Sequence, residues 1–289
     1  MSTRQELEDL LDRYAAALAS RNPRALPMSP RVRFTENAQE LALDEGLWAT
    51  ATACNPHQIR FVDPESGQAG FMAVVTEHTE PTCVTVRLKV EQGTITEIEQ
   101  FVVRRRASLF NPDGFVRESL FRAIEPAKRA SRSVLAQMPH RYFDGIERDD
   151  GSIIPVRDDC LRLENGVQTV LAGESDFASS TASQGFNLFR MGVAEQISTG
   201  FFAFLPRIRD RRVPVVDEER GMALAVCVFD HPGRITEVTV KGFGPLKLPP
   251  LFCAPFSGLV AELFQVEDGL IRAINATIDF APYGFRTGW

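Results

Sequence analysis

Apolar residues recur at helical spacing close to the start of the chain. Leu7, Leu10, Leu11, Tyr14 and Leu18 fall on one stripe, and Thr3 with Glu6 supplies a capping box at its head. The same spacing returns at Leu135, Met138, Tyr142 and Ile146. Pro139 inside that second stretch removes a backbone donor and is expected to kink or restart the helix. Both tyrosines sit on the apolar stripe and are expected to point inward. Elsewhere the period drops to two. Val84, Val86, Leu88 and Val90 alternate with Thr85, Arg87, Lys89 and Glu91, and Gln92-Gly93 turns this half-buried strand into a second one over Thr94–Val103. Near the C-terminus a strand over 259–266, the turn Asp268-Gly269 and a strand with Ile274, Ala276, Ile278 and Phe280 on one face repeat that hairpin. Helix followed by strands therefore occurs twice, which predicts an α+β protein.

Residues repeat as well as elements. At an offset of 128 positions Arg13-Tyr14 aligns with Arg141-Tyr142, Leu26-Pro27 with Ile154-Pro155, and Glu36-Asn37 with Glu164-Asn165. The offset then grows to 154, where Val62-Asp63 meets Val216-Asp217, and to 176, where Val90 to Ile95 meets Val266 to Ile271. Matches in one order with growing offsets describe two copies of one unit, the second carrying insertions. The expected organisation is a unit over 1–112, a linker over 113–132 and a second unit over 133–289. The first insertion is expected to add a helix around 195–205. The second, over 231–257, is rich in Pro and Gly and reads as a loop or flap. A short amphipathic segment is expected over 115–124.

Composition narrows the partners. Lys plus Arg is 32 against 38 for Asp plus Glu, a net charge of −6, whereas a phosphate-binding surface normally needs a basic excess, so nucleic acid is not expected. The longest unbroken apolar run, 222–229, is far short of the ~20 residues that span a bilayer, and no membrane partner is expected. The N-terminus has no apolar signal core, and the five cysteines form no C-x-x-C pair; both fit reduced thiols in a cytoplasmic protein. No phosphate-binding glycine loop, G-x-S-x-G or H-x-x-x-H spacing is present, so no cofactor, serine nucleophile or metal is implied. Phe is abundant, at 21 residues, against 3 Tyr, which makes the position of each tyrosine informative.

The order of elements resembles the NTF2-like superfamily, and within it the SnoaL-like and ketosteroid-isomerase-like branch. In the first copy the resemblance is carried by the Arg13-Tyr14 helix, the Phe34-Thr35-Glu36-Asn37 strand and the Val90-Glu91-Gln92-Gly93-Thr94-Ile95 hairpin. In the second it is carried by Arg141-Tyr142, Leu163-Glu164-Asn165-Gly166 and the hairpin over 266–271. The resemblance implies two tandem cone-shaped α+β barrel domains, each a curved, mainly antiparallel sheet wrapped by helices around an apolar pocket. In ketosteroid isomerases a helix Tyr is the oxyanion donor and an acid on the following strand is the base. By position, the resemblance gives those roles to Tyr14 and Glu36 and to Tyr142 and Glu164. The sequence departs from that pattern in having Glu for Asp and in showing no second acid for the oxyanion hole.

A carboxylate inside a Phe-rich cone is desolvated, which makes it a better proton acceptor near neutral pH, and a tyrosine O–H can stabilise developing negative charge. Copy two is the better candidate for the active pocket, because its insertions can exclude water. In it Glu164 is the expected base, Tyr142 the hydrogen-bond donor, His231 an acid or proton relay and Asn165 an orienting group, with Phe201, Phe204 and Asp230 against substrate. Tyr14, Glu36 and His78 form a secondary set. The plainer alternative has each Glu-Asn pair closing the cone mouth structurally, and His78 and His231 as exposed turn residues. Arg207, Arg209, Arg211 and Arg212 read as a solvated face, with capture of an acidic substrate as the minor option. The aromatic C-terminal tail is expected to dock on the protein. The expected function is a cofactor-free lyase or isomerase acting on a small, largely apolar or aromatic carbonyl or hydroxyl compound, as a monomer or homodimer. The alternatives are a non-catalytic binding protein for an apolar metabolite and, third, a partner-binding domain.

Overall fold

A computed structural model describes residues 2–107, 109–173 and 184–289. Helix α1 (Arg4–Ala19) begins at the expected capping box, where the Thr3 hydroxyl accepts from the Glu6 backbone N–H at 3.2 Å. Its stripe of Leu7, Leu11, Tyr14 and Leu18 is buried against a six-stranded sheet. The strands are β1 (Met28–Glu36), β2 (Gln39–Glu40), β3 (Ala51–Asp63), β4 (Gln68–Glu77), β5 (Glu80–Glu91) and β6 (Thr94–Val103), with one helical turn, α2 (Leu47–Thr50), before β3. Their spatial order is β2-β1-β6-β5-β4-β3, with β1 parallel to β6 and the other pairs antiparallel.

After the turn α3 (Pro112–Phe115), helix α4 (Arg132–Glu147) opens a second unit. It contains β7 (Val156–Glu164), β8 (Val167–Gln168), the short α5 (Val193–Ile197), β9 (Arg207–Asp217), β10 (Met222–His231), the hairpin β11 (Glu237–Val240) and β12 (Gly244–Lys247), then β13 (Phe256–Glu267) and β14 (Leu270–Ala281). The second sheet runs β8-β7-β14-β13-β10-β9, with β7 parallel to β14, so it repeats the first strand for strand. Both sheets remain open. The expected closure into barrels is not made, because β3 and β9 end their sheets as edge strands rather than pairing with β2 and β8.

The two sheets share a core. Phe61, Met72 and Phe101 of the first unit pack with Leu224, Val226 and Leu263 of the second. Reciprocal ion pairs flank it. Arg4, the first residue of α1, bonds Asp217 of the second unit at 2.5 and 3.2 Å, while Arg132, the first residue of α4, bonds Asp63 of the first at 2.6 and 2.9 Å. Each aspartate also accepts a backbone N–H of the other unit, Val62 to Asp217 at 2.8 Å and Val216 to Asp63 at 3.2 Å. Such mutual contacts are those of a two-fold interface, here between two halves of one chain.

Several local expectations are corrected. Helix α4 runs unbroken through Pro139, its stripe of Leu135, Met138, Tyr142 and Ile146 buried throughout. The helix expected around 195–205 is instead α5, which ends at Ile197, followed by a 3-10 turn, Phe201–Phe204, that starts from Gly200 in the left-handed conformation at φ 80°. The segment read as a flap contains the β11–β12 hairpin and a 3-10 turn, Pro250–Cys253. The amphipathic segment over 115–124 consists of short turns that insert Phe115, Phe121 and Ile124 into the interior. Of the arginines expected on a solvated face, Arg207 is exposed, whereas Arg209, Arg211 and Arg212 are half-buried; Asp230, Asp144, Glu147 and Glu99 pair the four. The tail docks, its Trp289 ring lying 4.0 Å from the Arg33 guanidinium and donating to Thr35 at 3.1 Å. No helix among the described residues is long and apolar enough to cross a membrane.

Candidate functional site

The second unit holds a cavity of about 680 Å³. Its walls are mostly apolar: Phe201 and Phe204 from the 3-10 turn, Phe229 at the end of β10, Phe252 and Phe256 from the second insertion, and Ile278 on β14. The first unit contributes Val102 and the residues after it, including Arg104, Arg106 and Ala107. Phe201 and Phe204 both line the cavity.

Charge enters at the foot of these walls through Arg162 and Glu164, neighbours on one face of β7. The Arg162 Nε lies 2.8 Å from a Glu164 carboxylate oxygen and donates to the Thr169 hydroxyl at 2.9 Å. Its Nη1 donates to the Tyr142 hydroxyl at 3.0 Å, and its Nη2 to Gln196. Burial opposes the Arg162 charge, but the field of Glu164 and the hydrogen bond to Tyr142 outweigh it and the guanidinium is held charged. Burial pushes the Tyr142 hydroxyl well above its ordinary pKa, so it is a neutral phenol. Tyr142 is buried behind Arg162, on α4, its ring edge-on to Phe264 at 5.3 Å.

Glu262 completes this cluster. It lies on β13 between Val260 and Phe264, which belong to the second unit's core, and is itself buried. Burial raises its pKa to about 8; Arg162 works against the rise and Glu164 adds to it. Near neutral pH it is largely a protonated carboxylic acid, a donor rather than a base. Neither Arg162 nor Glu262 is among the candidates that the sequence pattern singles out. The available signal was a charged residue inside an apolar stripe, at the inward positions of β7 and β13.

The first unit fills the same positions differently. Glu36 pairs across the sheet with Gln100, as Glu164 does with Ala276, and Val86 faces Gln100 as Glu262 faces Ala276. By that register Phe34 stands for Arg162 and Val86 for Glu262. The interior is packed: the Tyr14 hydroxyl accepts from Gln100 at 2.8 Å, and Trp48 lies edge-on to Tyr14 at 5.2 Å. Glu36 caps α2 by accepting from the Leu47 backbone N–H at 2.6 Å, and it pairs with Arg104 at 3.1 Å.

The remaining candidates fall outside the cavity or serve the backbone. Asn165, at φ 48°, lies at the cavity edge with its carboxamide bonded to the Leu109 and Ile278 backbones; Asn37 bonds Val102 in the same way. His231 is buried at the end of β10, its Nδ1 2.6 Å from the Phe204 carbonyl oxygen and its Nε2 against that of Phe252. Asp230 faces Arg207, Arg209 and Ser257. His78 occupies the exposed β4–β5 turn at φ 53°. Among the described residues no group of three His, Cys, Asp or Glu is placed to hold a metal.

The family model described as a domain of unknown function (DUF8021) matches residues 128–278, just over half of the chain. The chain belongs to this family. The DUF8021 segment runs from the approach to α4 into β14, so Tyr142, Arg162, Glu164 and Glu262 all lie within it, whereas Arg104 and Arg106 lie before it. No curated protein matches the chain. Among solved structures, a de novo designed protein with a curved β-sheet is 16% identical, covering 35% of this chain and 88% of its own at a TM-score of 0.30. A candidate ketosteroid isomerase from Kribbella flavida is 14% identical over 39% of this chain and 90% of its own, TM-score 0.31. AusH from Aspergillus nidulans is 12% identical over 42% of this chain and 97% of its own, TM-score 0.31.

Proposed function

We propose that the second unit is a cofactor-free acid–base enzyme, a lyase or isomerase, acting on a small, largely apolar or aromatic carbonyl or hydroxyl compound. The observation that carries this reading is one cavity, walled by phenylalanines, with a carboxylate among its lining residues. Glu164 is the base. Arg162 pairs with it at 2.8 Å and lies where negative charge develops when a proton leaves the carbon next to a carbonyl. Tyr142 accepts a hydrogen bond from Arg162 behind it. The first unit, with Phe34 and Val86 at the matching positions, serves as the structural partner that the shared core requires.

Phenylacetone provides a direct test, since the C–H between its ring and carbonyl is acidic and its exchange in D2O is read by proton NMR. The protein is expected to accelerate that exchange, and Glu164→Gln to reduce the acceleration on the order of 100-fold or more while leaving the fold intact. Equal exchange by Glu164→Gln would overturn the assignment. The close Arg162–Glu164 pair favours a second reading, a binding protein for an apolar metabolite. Phenylacetone bound without exchange would establish that one instead.

A further inference from the structure

Five charged side chains line the cavity: Arg104, Arg106, Arg162, Glu164 and Asp279. Four are accounted for within the protein. Arg162 and Glu164 neutralise each other at 2.8 Å. Arg104 is shared by Glu77 at 2.6 Å and Glu36 at 3.1 Å. Asp279 is pushed up by burial, with Arg104 opposing the rise and Glu36 adding to it, and its Oδ2 accepts from Asn37 at 2.9 Å. Arg106 is different. It is exposed, and among the described residues no carboxylate pairs with it and no hydrogen bond holds it. Its neighbours in the run behave otherwise, Arg104 as above and Arg105 against Glu80 at 3.4 Å.

We propose that the ligand of this cavity is an apolar or aromatic molecule bearing an anionic head, of the carboxylate or sulfonate class, and that Arg106 takes that head at the cavity wall. The proposal rests on the reading of the cavity as a small-molecule site. A planar guanidinium matches such an oxyanion with two parallel N–H donors, and beside an apolar wall the contact is screened less than in open solvent. The aromatic walls take the body and Arg106 sets its direction. The end remote from the head is then the part delivered toward Arg162 and Glu164. Arg106 comes from the first unit's chain and the base from the second, so the site is complete only with both units present.

Two fluorescent probes with one ring skeleton separate the parts of this claim: N-phenyl-naphthylamine, which is neutral, and anilinonaphthalene sulfonate, which adds the anion. Both are expected to bind the full chain, and Ile278→Trp, which fills the cavity, to abolish both. The sulfonate is expected to bind about 5-fold more tightly at low salt, an advantage that shrinks as salt is added. Arg106→Gln should remove the advantage and leave the neutral probe unchanged. If neither probe binds, the cavity reading fails and this proposal with it. If the neutral probe binds and is lost in Ile278→Trp, but the sulfonate has no advantage or keeps it in Arg106→Gln, the anion site is overturned and the cavity reading stands.

Discussion

The Arg162 guanidinium stands at the register position that the Phe34 ring fills in the first unit. That single difference converts a packed interior into a charged one, and it obliges the surroundings to change with it. Glu164 and the Tyr142 hydroxyl both face the cation, and Glu262 stands where the first unit has Val86.

Arg162→Phe, which installs the first unit's residue, removes the cation and leaves buried acceptors behind. Breaking a buried pair from one side costs about 3–5 kcal/mol, expected here as a lower urea midpoint. Adding Glu262→Val should recover part of that loss, because it removes the remaining buried carboxyl. A double variant no more stable than Arg162→Phe would show that the two positions are not coupled.

Glu262 makes stability depend on pH in the opposite sense to a paired carboxylate. Its folded pKa, about 8, lies above that of an unfolded glutamate, ~4.3. Between those values the folded state binds more protons than the unfolded state, so stability falls as pH rises across that window. Glu262→Gln keeps the neutral shape and should flatten this decline, with a melting temperature a few degrees above the parent's at alkaline pH. Parallel pH–stability curves for the two proteins would place the titration elsewhere.

Much of this arrangement is legible in the sequence, and the rest is not for identifiable reasons. The stripe of α1, the β5–β6 hairpin and the repeat of Tyr and Glu-Asn are local, periodic signals, and local periodicity reports which face is buried. It does not report what a charged residue on that face meets. Arg162 and Glu262 are 100 positions apart and are brought together only because β7 joins β14 in parallel and β14 joins β13. The helix expected through 195–205 ends at Ile197 and a turn restarts from Gly200; an apolar run scores as helical whichever hand its glycine adopts. His231 was read as a proton relay from its place at a strand end, but its ring partners are backbone carbonyls, which no side-chain pattern reveals.

The reciprocal pairs Arg4–Asp217 and Arg132–Asp63 should contribute alike. Arg4→Ala and Arg132→Ala are each expected to cost about 1.5–3 kcal/mol, the scale of a lost hydrogen bond to a charged group. Although burial pushes Asp63 up, Arg132, Ser66 and the Val216 N–H hold it below the ordinary carboxylate range. Its contribution is therefore present above the unfolded pKa of ~3.9 and is lost as pH falls below that value. Asp63→Asn should flatten the acid limb of unfolding followed by circular dichroism, and an unchanged limb would exclude the pair from acid stability.

His231 joins the two inserted segments that wall the cavity. Its two ring nitrogens face the carbonyl oxygens of Phe204 and Phe252, Nδ1 at 2.6 Å from the first. The ring also packs on Phe204 at 5.3 Å and Phe256 at 4.8 Å. His231→Phe preserves that aromatic packing and deletes both ring nitrogens, so its effect isolates their contacts with the two carbonyls. A buried carbonyl left unsatisfied costs about 1–3 kcal/mol, and because both carbonyls belong to the inserted segments the loss should be local. Amide hydrogen exchange is expected to quicken over 201–205 and 250–256 and to stay unchanged in β13 beyond Val260 and in β14. Uniform acceleration across β13 and β14 would instead make His231 a determinant of the whole unit's stability and not a latch on the cavity walls.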